Sequence, residues 1–268
     1  MRLVLDYLQA VIATVKRDAR LYLSYRLRFV AQLLGGLLTL TVFFYVAKLV
    51  RPDAVGRHAS YYAFLVVGIL VLTLVESALN LSALVRMELV AGNFERILVS
   101  PFGPIGGVMA MAVFPIVYAI LLSGITLLLA AVIYGVPIHI GSVPAAVAIA
   151  ALGGAAFAAL GVVFVAALIA FKSSTGPVWV IAGLGLLGGI YFPAALFPGW
   201  IRWASDVQPL TPTVDLLRHL LVGTPSGESP WLEFVKLIGF VVALMPLSGV
   251  VLSQAVKLSR RHGTIMEY

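Results

Sequence analysis

From Ile97 to Phe171 the sequence reads ILVSPFGPIGGVMAMAVFPIVYAILLSGITLLLAAVIYGVPIHIGSVPAAVAIAALGGAAFAALGVVFVAALIAF, a run with no Asp, Glu, Lys or Arg. As helix it would be about 110 Å long, whereas roughly 20 apolar residues cross a bilayer. Gly135, Pro137, Gly141 and Pro144 punctuate its middle, so the run predicts two membrane spans, at 105–134 and 143–171. The rest of the chain agrees: 62% of its 268 residues are hydrophobic and 11% charged, with a mean hydropathy of +1.08. Soluble domains are about 25% charged, so an ordinary soluble enzyme is excluded. The absence of cysteine removes disulfides, thiolate metal sites and cysteine nucleophiles.

Working outward, uncharged runs at Phe29 to Ala47 and Ala59 to Val85 (interrupted by Glu76) predict spans one and two. The stretch after Lys172 up to Ile201 predicts the fifth, and Phe234 to Val256, with Lys236 near its start, the sixth. The expected fold is therefore an all-α integral membrane protein with six transmembrane helices. Six crossings put both termini on one side. The segments on that side carry 12 Lys and Arg residues against 6 on the other, which by the positive-inside rule predicts cytoplasmic termini. The net charge of +7 fits contact with anionic lipid rather than nucleic acid.

Asp6 interrupts any early apolar region, so the first residues do not read as a cleaved signal. Val4, Leu8, Val11, Val15, Ala19 and Tyr22 recur at helical spacing, with Lys16, Arg17 and Arg20 elsewhere on the wheel. Residues 1–26 thus predict an amphipathic helix at the membrane interface, or a solvated helix leading into the first span. Residues 27–268 form the membrane domain.

Motifs for chemistry are missing. There is no His-Glu-x-x-His pattern, the four histidines are scattered, and no Gly-Lys-[Ser/Thr] dipeptide supplies a phosphate-binding loop. The chain is not expected to be an enzyme, and no catalytic or metal-ligating residue is assigned. Glu76 is the one acidic residue deep in an expected span. With Thr73, Ser77 and Asn80 it makes a polar stripe at i, i+3, i+4 spacing. Ionisable groups at membrane depth are costly. The stripe reads either as a wall of a translocation path, with Glu76 as a protonatable carboxylate, or as a face satisfied by neighbouring helices.

Two segments remain. The 86–104 loop carries Glu88 and then Gly92-Asn93-Phe94-Glu95-Arg96-Ile97-Leu98-Val99-Ser100-Pro101. Here Phe94, Ile97 and Leu98 share one side of a short helix that Pro101 and Pro104 stop. Its apolar side needs a partner, either the N-terminal helix or a separate soluble subunit. In the outer segment 189–222, prolines 193, 198, 209 and 212 forbid one continuous helix although the pieces stay apolar. This predicts short re-entrant helices anchored by Trp200 and Trp203, or else a simple outer loop.

Together these segments resemble the ABC-2 family of ATP-binding-cassette export permeases. The family's cytoplasmic loop reads Gly-x-[hydrophobic]-Glu-x-[hydrophobic]-Leu-x-Ser-Pro, matched from Gly92 to Pro101. Its outer segment is matched by Tyr191-Phe192-Pro193, Pro198-Gly199-Trp200, Pro209-Leu210-Thr211 and Asp215-Leu216-Leu217-Arg218. The resemblance implies a half-transporter in the prokaryotic inner membrane, pairing with a second copy or a similar permease and docking on a cytoplasmic ATPase subunit that binds ATP and magnesium.

It further implies that Glu88, Gly92, Phe94, Glu95, Arg96, Ile97, Leu98, Ser100 and Pro101 couple to that ATPase. The outer segment would gate the exit, with Arg218 pairing with Asp215 or meeting an anionic substrate group. Thr73, Glu76 and Asn80 would border the path of an amphiphilic, lipid-like or glycan cargo. The competing expectation is a self-sufficient secondary transporter or channel that relies on Glu76.

Overall fold

A computed structural model describes residues 2–49, 61–94, 102–171, 176–224 and 228–261. Among these, all regular structure is helical: α1 (Arg2–Ser24), α2 (Arg26–Leu49), α3 (Tyr61–Leu79), α4 (Leu81–Val90), α5 (Gly103–Tyr134), α6 (Val143–Phe171), α7 (Gly176–Leu187), α8 (Gly199–Asp206), α9 (Leu210–Val222) and α10 (Pro230–Arg261). Short 3₁₀ turns lie at Ile140–Ser142 and Ala194–Leu196.

The long uncharged run divides where its glycines and prolines predict. Gly135 adopts φ +70° and its N–H closes α5 onto the Ala131 carbonyl, a left-handed cap that a residue without Cβ makes at no steric cost. α6 starts at Val143 with Pro144 in its first turn, where a missing N–H breaks no helical bond.

Five helical stretches among the described residues are long and apolar enough to cross a membrane: Arg26–Leu49, Tyr61–Val90, Gly103–Tyr134, Ile140–Phe171 and Pro230–Ser259. The expected fifth span differs. α7 has 12 residues and reaches only about 18 Å, short of a bilayer core of about 30 Å. It ends at Leu187 because Gly189 turns left-handed at φ +73° and Pro193 and Pro198 follow. The chain continues through the 3₁₀ turn and α8 before α9 begins.

α3 is the central helix: with α4 it forms the most enclosed of these five stretches, whereas α2 is almost wholly uncovered. Small residues let backbones approach it closely, as helices in lipid require: a Cβ on Gly161 of α6 would collide with the Ala78 carbonyl of α3. One core joins α3, α6, α9 and the start of α10 through Val66, Leu74, Phe157, Leu210, Val214 and Leu237. A second joins α4, the first turns of α5, the end of α6 and the end of α10 through Val85, Val108, Val162 and Leu252.

α1 and α2 both follow α5. Tyr7 meets Phe102 at a ring-centroid distance of 5.1 Å, and its hydroxyl donates to the Gly106 carbonyl at 3.2 Å. Tyr22 meets Phe114 and Tyr118 at 4.9 and 5.0 Å. Farther along, Phe29 and Gln32 reach Tyr118, and Thr41 reaches Tyr134. Successive contacts rise together in residue number along both segments, so α1 and then α2 run alongside α5 in the same direction. The aromatic side of the amphipathic helix therefore has a protein partner, while Lys16, Arg17 and Arg20 stay exposed.

Candidate functional site

The polar stripe of α3 points out of the bundle. Although α3 is the most enclosed span, Glu76 and Asn80 are exposed and Thr73 and Ser77 half-buried. The Thr73 hydroxyl turns back on the Ile69 carbonyl at 3.3 Å. Among the described residues the Glu76 carboxylate has neither an ion-pair nor a hydrogen-bond partner. Asn80 sits between α3 and α4, its backbone N–H still bonded to the Glu76 carbonyl. α7 packs beside this stripe, Gly185 lying against Leu72, and presents Val178, Trp179 and Leu186 to the outside. The two helices together form one outward face, polar along α3 and apolar along α7.

The broken segment 189–222 is built around one arginine. When α7 stops, its last carbonyls and those of the turn that follows lack helical partners. The segment that follows supplies the donors. Ser205 Oγ of α8 donates to the Leu187 carbonyl at 2.9 Å. Arg218 of α9 donates from one terminal nitrogen to Gly189 O at 2.8 Å and from the other to Ile190 O at 2.9 Å. Its Nε donates to Phe64 O of α3 at 3.1 Å. The guanidinium lies 3.3 Å from the centre of the Phe64 ring, and Asp215 sits 3.7 Å away. Its side chain is 2% exposed, so this charge faces the protein's own backbone rather than an open passage.

Other residues of this segment surround the arginine. Tyr191 accepts a hydrogen bond at its carbonyl from the Tyr61 hydroxyl at 3.0 Å, and its ring stacks with Phe43 at 5.9 Å. Pro193 precedes the 3₁₀ turn and Pro198 precedes α8, both in extended geometry. Pro209 leads into α9 and accepts the Thr213 hydroxyl at 2.7 Å. Leu210 is fully buried and Thr211 nearly so. Phe192, Trp200 and Trp203 remain exposed, as membrane-facing aromatics do.

On the opposite side, Glu88 near the end of α4 lies 3.7 Å from Arg17 of α1. Gly92 turns the chain at φ +69°. Phe94 is 3% exposed, packed in the core of α4, α5 and α6, so its ring is committed inside the chain. Glu95, Arg96, Ile97, Leu98, Ser100 and Pro101 lie outside the described residues. Among the described residues no group of three or more His, Cys, Asp or Glu side chains is placed to hold a metal ion.

Sequence reasoning singled out Arg218 and Asp215 but missed Phe64, Gly68 and Ser205. A Cβ on Gly68 would stand 2.7 Å from an Arg218 nitrogen and 2.9 Å from Ile190 O. The only signal in the sequence was a lone glycine in an otherwise bulky apolar stretch.

Residues 8–222 match the family model described as ABC-2 type transporter. No curated protein matches the chain closely enough to add to this. The match takes in the outward stripe, the 86–104 loop and the broken segment 189–222, and it covers most of the 268 residues. The chain belongs to the ABC-2 type transporter family and is a multi-pass membrane permease component.

Proposed function

We propose that the chain is half of the membrane domain of an ATP-driven exporter, paired with a second copy or a similar permease across the face formed by α3 and α7. The observation that carries this reading is the exposure of Glu76 on the most enclosed span. A carboxylate turned towards hydrocarbon is expensive, and a second subunit or a water-filled path between subunits removes that cost. The 15 residues from Tyr61 to Glu76 span roughly 22 Å. With Tyr61 near the outer edge, the stripe then occupies the inner half of the path, where cargo enters from the cytoplasm.

In this reading α7 and the broken segment complete the fifth of six crossings, and both termini are cytoplasmic in a prokaryotic inner membrane. The 86–104 loop docks on a separate ATPase subunit that holds ATP and magnesium. Residues 189–222 shape the outer exit. An amphiphilic, lipid-like or glycan cargo suits a face that is polar on one helix and apolar on the next. Gentle purification of the tagged chain from native membranes tests the reading. An ATPase subunit in equal copy number and a permease dimer are expected. A permease without ATPase, under conditions that preserve other membrane complexes, would instead favour a self-sufficient transporter that uses Glu76.

A further inference from the structure

We infer that Arg218 is a positioning residue that latches α9, the end of α7 and the outer half of α3 into one rigid body, so that the exit cannot open by α9 swinging away from α3. The inference rests on reading residues 189–222 as the outer gate, but the latch itself is a statement about the fold.

Three features support it. First, the guanidinium spends its fork on carbonyls from two other elements, Phe64 of α3 and Gly189 and Ile190 after α7. Hydrogen bonds to a charged group each contribute more than neutral ones, and here all are shielded from water. Second, the arginine fits no other position without loss. Gly68 leaves the space for it, Phe64 closes over it, and Asp215 balances its charge from one turn earlier on α9. Pulling α9 outward would strand a charge and the carbonyls of Gly189 and Ile190 at once in a low-dielectric interior. Third, α9 is also seated on α6, where Thr213 fills the space that a side chain at Gly153 would take.

α8 is attached differently. Its inward side-chain bond among the described residues is the single Ser205 hydroxyl on Leu187 O, while Trp200 and Trp203 project outward. The freedom of the exit therefore resides in residues 194–206, and α9 forms its fixed wall.

Hydrogen exchange on the purified full-length chain in lipid nanodiscs, read by mass spectrometry, tests the latch. In the wild type, peptides covering 61–72, 184–190 and 210–218 should open together as denaturant is added, while α8 exchanges earlier and separately. Arg218→Lys keeps the charge but replaces the fork by a single donor centre. It should raise exchange in 184–190 and 210–218 by about tenfold or more, with α5 unchanged. Gly68→Ala, which displaces the guanidinium without removing it, should do the same more weakly. The latch is overturned if the wild-type 184–190 peptide opens with α8 instead of with α3, a result that needs no variant. It is equally overturned if both substitutions leave exchange at the wild-type level. Transport separates the two readings: loosened exchange with undiminished export would leave the latch standing and remove the gate.

Discussion

Gly68 and Arg218 occupy one site: the guanidinium sits where a side chain on Gly68 would be, 2.7 Å from its ideal Cβ, although 150 residues separate the two. Arg218 can cap the broken end of α7 only because α3 has no side chain there. Gly68→Ala should therefore destabilise the protein by about 1–3 kcal/mol, the usual cost of overpacking a tight interior. Thermal unfolding in detergent should fall for Gly68→Ala and stay near wild type for Gly35→Ala in α2, where added atoms meet nothing within 4 Å.

Phe94 belongs to the family's loop motif, yet its ring is packed against α4, α5 and α6. Phe94→Ala should act as a core truncation, costing about 3–5 kcal/mol. The expected outcome is low yield and a depressed melting temperature. A well-folded Phe94→Ala protein that has lost only its ATPase partner would contradict this placement.

The loop residues beyond Phe94 carry a different expectation. Leu98→Asp and Glu95→Lys should leave the permease folded and inserted while abolishing export and co-purification of the ATPase subunit. Normal export by both variants would remove the coupling role from this loop.

Glu76 separates the energy sources. If ATP drives transport, Glu76→Gln keeps a polar side chain on the α3 face and should reduce export by less than about threefold, within the range for losing one modest interaction. Glu76→Leu should impair it more, because the stripe loses its polar centre. A complete, pH-dependent loss in Glu76→Gln would identify a proton-coupled carboxylate.

The Arg17 and Glu88 contact between α1 and α4 should be nearly silent. Arg17 is 56% exposed and the charges are 3.7 Å apart, so the pair contributes about 0–1 kcal/mol. A double-mutant cycle with Arg17→Gln and Glu88→Gln, read by thermal unfolding, should give a coupling energy inside that range. The attachment of α1 instead rests on Tyr7 and Tyr22, whose rings pack on α5.

The sequence by itself determined that the chain lives in a membrane, because no soluble fold can hide so long a run without charge as 97–171. It determined where that run divides, since Gly135 and Pro144 act locally through φ and a missing N–H. It also located the family's two motifs and the α3 stripe, since helical spacing alone decides which residues share a face. The direction of that face was not legible. Which side of α3 is enclosed depends on how close α5, α6 and α9 approach, and that depends on small residues such as Gly153, Gly154 and Gly161 meeting partners far away in the chain.

The length of α7 was not legible either, because an apolar composition continues past the point where Gly189 turns the backbone. The role of Arg218 was decided only by tertiary structure. Pairing with Asp215 could be read from i, i+3 spacing, but the carbonyls of Phe64, Gly189 and Ile190 come from elements that spacing does not connect. Buried carbonyls freed where a helix breaks must be satisfied by whatever the fold brings to them, and here the fold brings an arginine.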